Sequence, residues 1–138
     1  MTAKQYLRQI KQMETAISVM ESELLRIRSK VESPTGPKYT AARVQYSTGD
    51  ALENGVVKLA MLESKLSEQI DKYEETRQRI VGEILSLQKP AYVKILYSIY
   101  VEGLPIWKTG QRMHYSRSQI KRIHGAALKM FYDTVLSI

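Results

Sequence analysis

The sequence predicts an all-α protein, in which a long antiparallel helical hairpin (a coiled coil) is followed by a C-terminal tri-helical helix-turn-helix domain. Apolar residues recur at alternating steps of three and four through most of the first 88 residues, which is the spacing of a coiled-coil seam. From Lys89 onward, prolines and glycines divide the chain into short segments of helical period. We therefore expect a hairpin or coiled-coil oligomerisation region at 1–88 and a helix-turn-helix domain at 89–138.

The first helix is expected from about Thr2 to Glu32. Its seam follows a seven-residue repeat, and no proline or glycine interrupts it before Pro34. The apolar seam residues are Ala3, Tyr6, Ile10, Met13, Ile17, Met20, Leu24, Ile27 and Val31.

A loop is expected at about 33–50. Pro34, Gly36 and Pro37 forbid a continuous helix, and a Ser-Thr-Gly-Asp run at 47–50 is typical of a loop end. Such a loop is long enough to reverse the chain. Four of its residues suit either contact with nucleic acid or, more simply, a flexible connector: Lys38, Tyr39, Arg43 and Tyr46.

A second long helix is expected after a capping pair formed by Asp50 and Glu53. Its three-four apolar spacing continues to Leu87, with Glu63 and Arg77 at two seam positions, where charges fix register or pairing direction. Two isolated helices offer little two-sided core, so a neighbour from a second chain is expected to cover the apolar stripes. A homo-oligomer is predicted, with a dimer favoured.

The C-terminal domain is expected to hold three helices. Pro90 begins the first, whose tyrosines Tyr92, Tyr97 and Tyr100 are packing residues, and Gly103 ends it. Pro105 begins the second, in which Trp107 is expected in the core or as a helix-packing anchor rather than stacked on a base. After a turn at His114-Tyr115, the last helix runs from Arg117 to about Phe131. Its buried residues are expected to be Ile120, Ile123, Ala127, Leu128 and Phe131.

Positive charge is concentrated toward the C-terminal end. Residues 1–88 hold thirteen basic and twelve acidic side chains, whereas residues 89–138 hold eight basic and two acidic ones. Between Gly103 and Tyr132 there are six basic residues and no acidic one. Phosphates supply most of the attraction between proteins and nucleic acids, so double-stranded DNA is the expected partner of this end. A solvated basic face is the simpler alternative.

The candidate DNA-binding residues lie around the start of the last helix. Ser116 and Gln119 form a capping box there, as a Ser followed three residues later by Gln typically does. The first turns of a recognition helix reach base edges, and the preceding helix contacts backbone phosphate. We therefore assign Arg117, Ser118, Gln119, Lys121 and Arg122 to the groove, Lys108 and Arg112 to phosphates, and Ser116 to the same interface.

Several classes of function have no support in the sequence. Without cysteine the chain has neither disulfides nor cysteine zinc ligands, and His114 and His124 have no acidic cluster beside them. We see no nucleophile with an oriented base and no glycine-rich phosphate loop, so no enzyme activity, metal or cofactor is expected. The most apolar stretch, 91–101, is too short to span a bilayer. A soluble cytoplasmic protein with no membrane partner is therefore predicted.

The run from Tyr115 to His124, with Ala127-Leu128 and Phe131, resembles the last helix of sigma factor region four. The chain more closely resembles small sigma-like or ArpU-type transcriptional regulators of phages and prophages of Gram-positive bacteria. The features shared with these are a helical segment at 55–63, Tyr-x-Glu-Gly at 100–103, Met-x-Tyr-Ser at 113–116 and Arg-x-His at 122–124. Thr109-Gly110 and His114 depart from the pattern, which has an apolar residue followed by Ala at the first place and Gly at the second.

The resemblance implies a sequence-specific DNA-binding regulator of phage genes, acting in the bacterial host, with late-gene activation and contact with RNA polymerase as its expected role. Two alternatives remain open. One is a DNA-packaging recognition protein like a phage small terminase subunit, which also combines a helix-turn-helix with helical oligomerisation. The other is a helical adaptor whose basic end docks an acidic protein.

Overall fold

The computed structural model describes residues 1–32 and 41–137, with the backbone alone for 41–53. All regular structure in these residues is helical, which confirms the all-α prediction. Two of the helices, Pro90–Leu96 and Arg117–Phe131, continue into five-residue π-helical segments, Tyr97–Val101 and Tyr132–Leu136. The helices are α1 (Ala3–Leu7), α2 (Gln9–Glu32), α3 (Ala41–Leu85), α4 (Pro90–Leu96), α5 (Ile106–Arg112) and α6 (Arg117–Phe131).

The N-terminal helix forms almost as predicted. Thr2 caps α1 by a reciprocal pair of hydrogen bonds with Gln5, at 3.1 and 2.9 Å. A turn at Arg8 separates α1 from α2, which then runs to Glu32. The expected single helix is thus present as two consecutive ones with the predicted outer limits.

The loop expected at 33–50 is wrong over its second half, because α3 begins at Ala41. The predicted cap at Asp50 and Glu53 is wrong for the same reason, since both residues lie inside the helix. The last proline of the segment is Pro37, after which Ala41-Ala42-Arg43 are strong helix formers. Gly49 costs about 1 kcal/mol relative to alanine, which a long helix tolerates. Residues 33–40 and the side chains of Arg43 and Tyr46 lie outside the description.

The chain divides into two compact units, which differ from the regions expected at 1–88 and 89–138. Unit 1 comprises Met1–Glu14 and Lys72–Ile138, and unit 2 comprises Thr15–Asp71. Both ends of the sequence therefore belong to the same unit. The functional division of the chain at residue 88 stays a prediction.

The core of unit 1 joins residues that are far apart in sequence. Leu7, Ile10, Ile84 and Phe131 are fully buried in one cluster, and α1 packs on α6. At the edge of this core the Tyr6 hydroxyl donates to Glu83 Oε1 at 2.6 Å. Apolar burial of this kind is the main stabilising term in folding, and here it ties the N-terminal residues to the last helix.

A second tyrosine–carboxylate pair lies nearby in unit 1. The Tyr73 hydroxyl donates to Glu14 Oε2 at 2.5 Å, and Lys11 Nζ contacts Glu14 Oε1 at 2.8 Å. Burial alone would raise the pKa of Glu14, but hydrogen bonds from Lys11 and Tyr73 outweigh it, so the pKa is lowered. Burial, together with the Glu14 carboxylate, raises the pKa of Tyr73 to about 12. The two groups therefore stay in the donor and acceptor states that the bond requires.

In unit 2, two contacts join α2 and α3. Arg28 Nη2 pairs with Glu63 Oε1 at 3.1 Å, and Val31, further along α2, lies beside Gly55, further back along α3. Leu66 is buried, whereas several large apolar side chains of this unit are exposed: Val19, Leu25, Val56, Val57 and Met61. Within the described ranges, no helix has the length and apolar character needed to cross a bilayer.

Candidate functional site

The last helix begins with the capping box that the sequence predicts. Ser116 Oγ accepts from the Gln119 backbone N–H at 3.2 Å, and Gln119 Oε1 accepts from the Ser116 N–H at 3.0 Å. The predicted limits of this helix, Arg117 and Phe131, are confirmed. Both capping side chains are thereby fixed at the helix end, and both keep a donor for an outside partner, the Gln119 side-chain NH₂ and the Ser116 hydroxyl.

A short turn holds α5 against α6. His114 adopts φ 61°, a left-handed conformation that favours glycine, and the Tyr115 N–H donates to the Gly110 carbonyl at 2.8 Å. A Cβ on the buried Gly110 would lie 3.1 Å from two side-chain atoms of Ile120. Gly110 therefore permits close approach of the two helices. The two departures from the sigma-like pattern thus fall at the turn and at the helix contact.

The side chains expected in the groove all lie outside the core. Arg117, Ser118, Gln119, Lys121 and Arg122 are exposed. The opposite face of α6 is inward as predicted: Ile120, Ala127 and Phe131 are buried, with Ile123 and Leu128 partly so. The 3.6-residue period therefore separates a buried face from a polar, cationic one.

The cationic face extends further along α6 than the sequence interpretation placed it. Gly125 and Lys129 are exposed, one and two turns beyond Lys121 and Arg122. A Cβ on Gly125 would have no neighbour within 4 Å. The sequence prediction did not include Lys129, because it was confined to the first turns of the helix. The spacing of seven residues between Arg122 and Lys129 nevertheless indicates that they share a face. We call the surface formed by Ser118, Lys121, Arg122, Gly125 and Lys129 the α6 face.

On α5, Lys108 and Arg112 are exposed as predicted, but Trp107 is not in the core. Its side chain is 57% exposed. The buried positions of this helix belong to Thr109 and Gly110, and Thr109 Oγ1 donates to the Pro105 carbonyl at 3.1 Å. Arg112 Nη1 lies 3.3 Å from Glu102 Oε1, so its charge is shared with a carboxylate.

Behind the α6 face, the buried His124 contacts Tyr100, with its Nε2 2.9 Å from the hydroxyl. Burial lowers the pKa of His124, and the charge of Lys4 lowers it further; burial also raises the pKa of Tyr100. The pair attaches α6 to the π-helical segment Tyr97–Val101. Sequence reasoning missed this role, although 120, 124, 127 and 131 follow one helical stripe. The packing role predicted for Tyr92, Tyr97 and Tyr100 is confirmed.

The two units of the fold differ more in net charge than the sequence regions 1–88 and 89–138 do. Unit 1 holds fourteen basic and six acidic side chains, a net charge of +8, whereas unit 2 holds seven and eight, a net charge of −1. Lys4 and Arg8 of the N-terminal segment contribute to the first total. Among the described residues, no carboxylate pairs with Lys108, Arg117, Lys121, Arg122 or Lys129. These cations are therefore available to an anionic partner.

No group of three or more metal-ligating side chains occurs in the part of the chain that the structure describes. Comparisons with protein-family models, curated proteins and solved structures found no match to this chain. The α6 face and its surroundings in unit 1 are therefore the basis for assigning a function.

Proposed function

We propose that this protein is a sequence-specific DNA-binding transcriptional regulator, and that α5, the turn at 113–116 and α6 form a helix-turn-helix. The observation that carries the proposal is the α6 face: exposed cations on a capped 15-residue helix that opens directly out of a tight turn. Helix-turn-helix proteins place such a helix in the major groove of DNA, where its first turns contact base edges.

Each exposed side chain has a role in this arrangement. Arg117, Lys121 and Arg122 supply donors for guanine O6 and N7 or for phosphate oxygens, and Ser118 and Gln119 supply neutral polar contacts. The free N–H groups at the start of α6 favour a phosphate. Lys108 and Arg112 contact the DNA backbone and set orientation rather than sequence preference.

The hairpin of α2 and α3 serves oligomerisation in this proposal. The exposed apolar residues of unit 2, such as Val57 and Met61, fit burial against a second chain. A dimer would place two copies of α6 about 34 Å apart, or at a multiple of that distance, on a palindromic site. The resemblance to sigma-like phage regulators favours late-gene activation in a bacterial host, with RNA polymerase as a further partner.

The decisive experiment is selection of bound duplexes from fragmented genomic DNA, followed by affinity measurements with Arg122→Ala. We expect this change to weaken specific binding by about 1–3 kcal/mol and to relax the choice of one base. Arg26→Ala is the matched control, because Arg26 is an exposed arginine of unit 2 paired with Glu23. Equal affinity and equal selectivity of Arg122→Ala and the parent protein would remove Arg122 from base recognition.

The same preparation separates the alternatives. Ring-sized assemblies that bind a packaging site and leave transcription unchanged would favour a small-terminase-like role. Failure to bind any duplex at about 50 mM salt, where phosphate attraction is strong, would contradict the proposal and favour an adaptor for an acidic protein.

A further inference from the structure

Trp107 is a large aromatic side chain left in solvent at the first turn of α5. It is 57% exposed and is the only tryptophan in the chain. Tryptophan has the largest apolar surface of the side chains, and it is enriched at positions that dominate binding interfaces. Its role is therefore not explained by the folding of unit 1.

The position of Trp107 relates it to the α6 face. Trp107 lies three residues before Gly110, so the two share a flank of α5, and Gly110 is the residue that touches Ile120 of α6. Among the exposed residues of α5, Trp107 is separated from Gly110 by the smallest angle around the helix axis. The adjacent Lys108 is exposed and has no carboxylate partner among the described residues.

The charges around Trp107 indicate the chemistry of what covers it. From Gly103 to Tyr132 every charged residue is basic. The indole ring can donate a hydrogen bond through Nε1–H but has no acceptor atom. A partner that buries the ring must therefore offer an acceptor at its edge. The phosphate groups of DNA are anionic and offer acceptor oxygens, so they meet both requirements, and the C–H groups of the adjacent deoxyribose suit contact with an aromatic ring.

We propose that Trp107 is an additional DNA contact, in which the indole packs on a deoxyribose at the edge of the groove and its N–H donates to a neighbouring phosphate. The inference rests on the proposed DNA-binding function and adds a contact that charge alone does not supply. It places an aromatic contact beside the phosphate contact proposed for Lys108 of α5.

The single tryptophan makes the test direct. Duplex DNA recovered in the genomic selection is added to the unmodified protein, and binding is followed independently by the anisotropy of labelled DNA. We expect bound duplex to change the tryptophan emission and to protect Trp107 from quenching by acrylamide. Trp107→Ala should weaken duplex binding by about fivefold or more, and Trp107→Phe, which keeps a ring but loses the N–H, should weaken it less.

The possible outcomes test the role of Trp107 separately from the proposed DNA-binding function. Duplex binding by anisotropy with unchanged emission and quencher access would overturn the role of Trp107 and leave the DNA-binding proposal standing. Protection of Trp107 by polyglutamate, but not by duplex, would overturn it in favour of an acidic protein partner. Absence of any duplex binding would remove the proposed function and this inference together. Circular dichroism of Trp107→Ala checks that the exposed substitution leaves the helices intact.

Discussion

Gly125 occupies the middle of α6, where a glycine destabilises a helix by about 0.5–1 kcal/mol relative to alanine. Its backbone is helical and a Cβ would meet no neighbour, so nothing in the described fold requires glycine there. It lies between Arg122 and Lys129 on the α6 face. A bare backbone at this point suits close approach of a partner to the helix.

Gly125→Ala is expected to raise the free energy of unfolding by about 0.5–1 kcal/mol, and to weaken duplex binding if DNA approaches the helix at this point. Gly82→Ala is the matched control, because Gly82 is also exposed within a helix and its Cβ also would meet nothing. Urea denaturation and DNA titration of both variants give the comparison. Unchanged affinity of Gly125→Ala would rule out close approach at this residue.

Among the elements, α1 has a role that its sequence does not reveal. Seen alone, it begins a long coiled-coil helix; in the fold, Leu7 lies in one cluster with Phe131 of α6. The first helix therefore supports the inward side of the helix that carries the candidate site. Changes in α1 should affect that site through packing rather than through contact with DNA.

Leu7→Ala is expected to lower the free energy of unfolding by about 2–5 kcal/mol, because it removes a fully buried side chain and leaves a cavity. Leu25→Ala, a change of the same chemistry at a 67% exposed residue of α2, should alter stability by less than about 0.5 kcal/mol. Thermal or urea unfolding measures both. A small effect at Leu7 would show that α1 does not pack on α6 in solution.

What sequence predicted about these elements was mostly local. The cap at Ser116, the proline start of α4 and the limits of α6 follow from hydrogen bonds and backbone restrictions within a few residues. The cluster that Leu7 shares with Phe131 depends on contacts between residues more than a hundred positions apart in sequence, which no local pattern encodes. Trp107 was misplaced for a related reason: apolar character indicates burial, but the tight contact of Gly110 with Ile120 decides which face of α5 turns inward.

At the scale of the whole molecule, charge is divided between the units. Unit 1 carries a net charge of +8, whereas unit 2 is nearly neutral, and both units expose large apolar side chains, Trp107 among those of unit 1 and Met61 among those of unit 2. Composition along the sequence already indicated a basic C-terminal end. The contribution of Lys4 and Arg8 to the same unit follows only from the fold.

This division predicts a salt dependence that belongs to unit 1. Lys129→Gln should reduce the slope of the logarithm of duplex affinity against the logarithm of salt concentration by about one, because one fewer phosphate is neutralised. Lys65→Gln, at an exposed lysine of unit 2, should leave the slope unchanged. Titrations at several salt concentrations measure both slopes. Equal slopes for Lys129→Gln and the parent protein would place Lys129 away from the DNA backbone.

The shared cluster of Leu7 and Phe131 also bears on biosynthesis. A ribosome makes α1 long before α6, so α1 must wait for its packing surface while the intervening residues are translated. The part of its packing surface that α6 supplies is missing during that interval, so the core of unit 1 is complete only when Phe131 has left the ribosome. A nascent fragment that ends before residue 131 would therefore have no complete α6 to present.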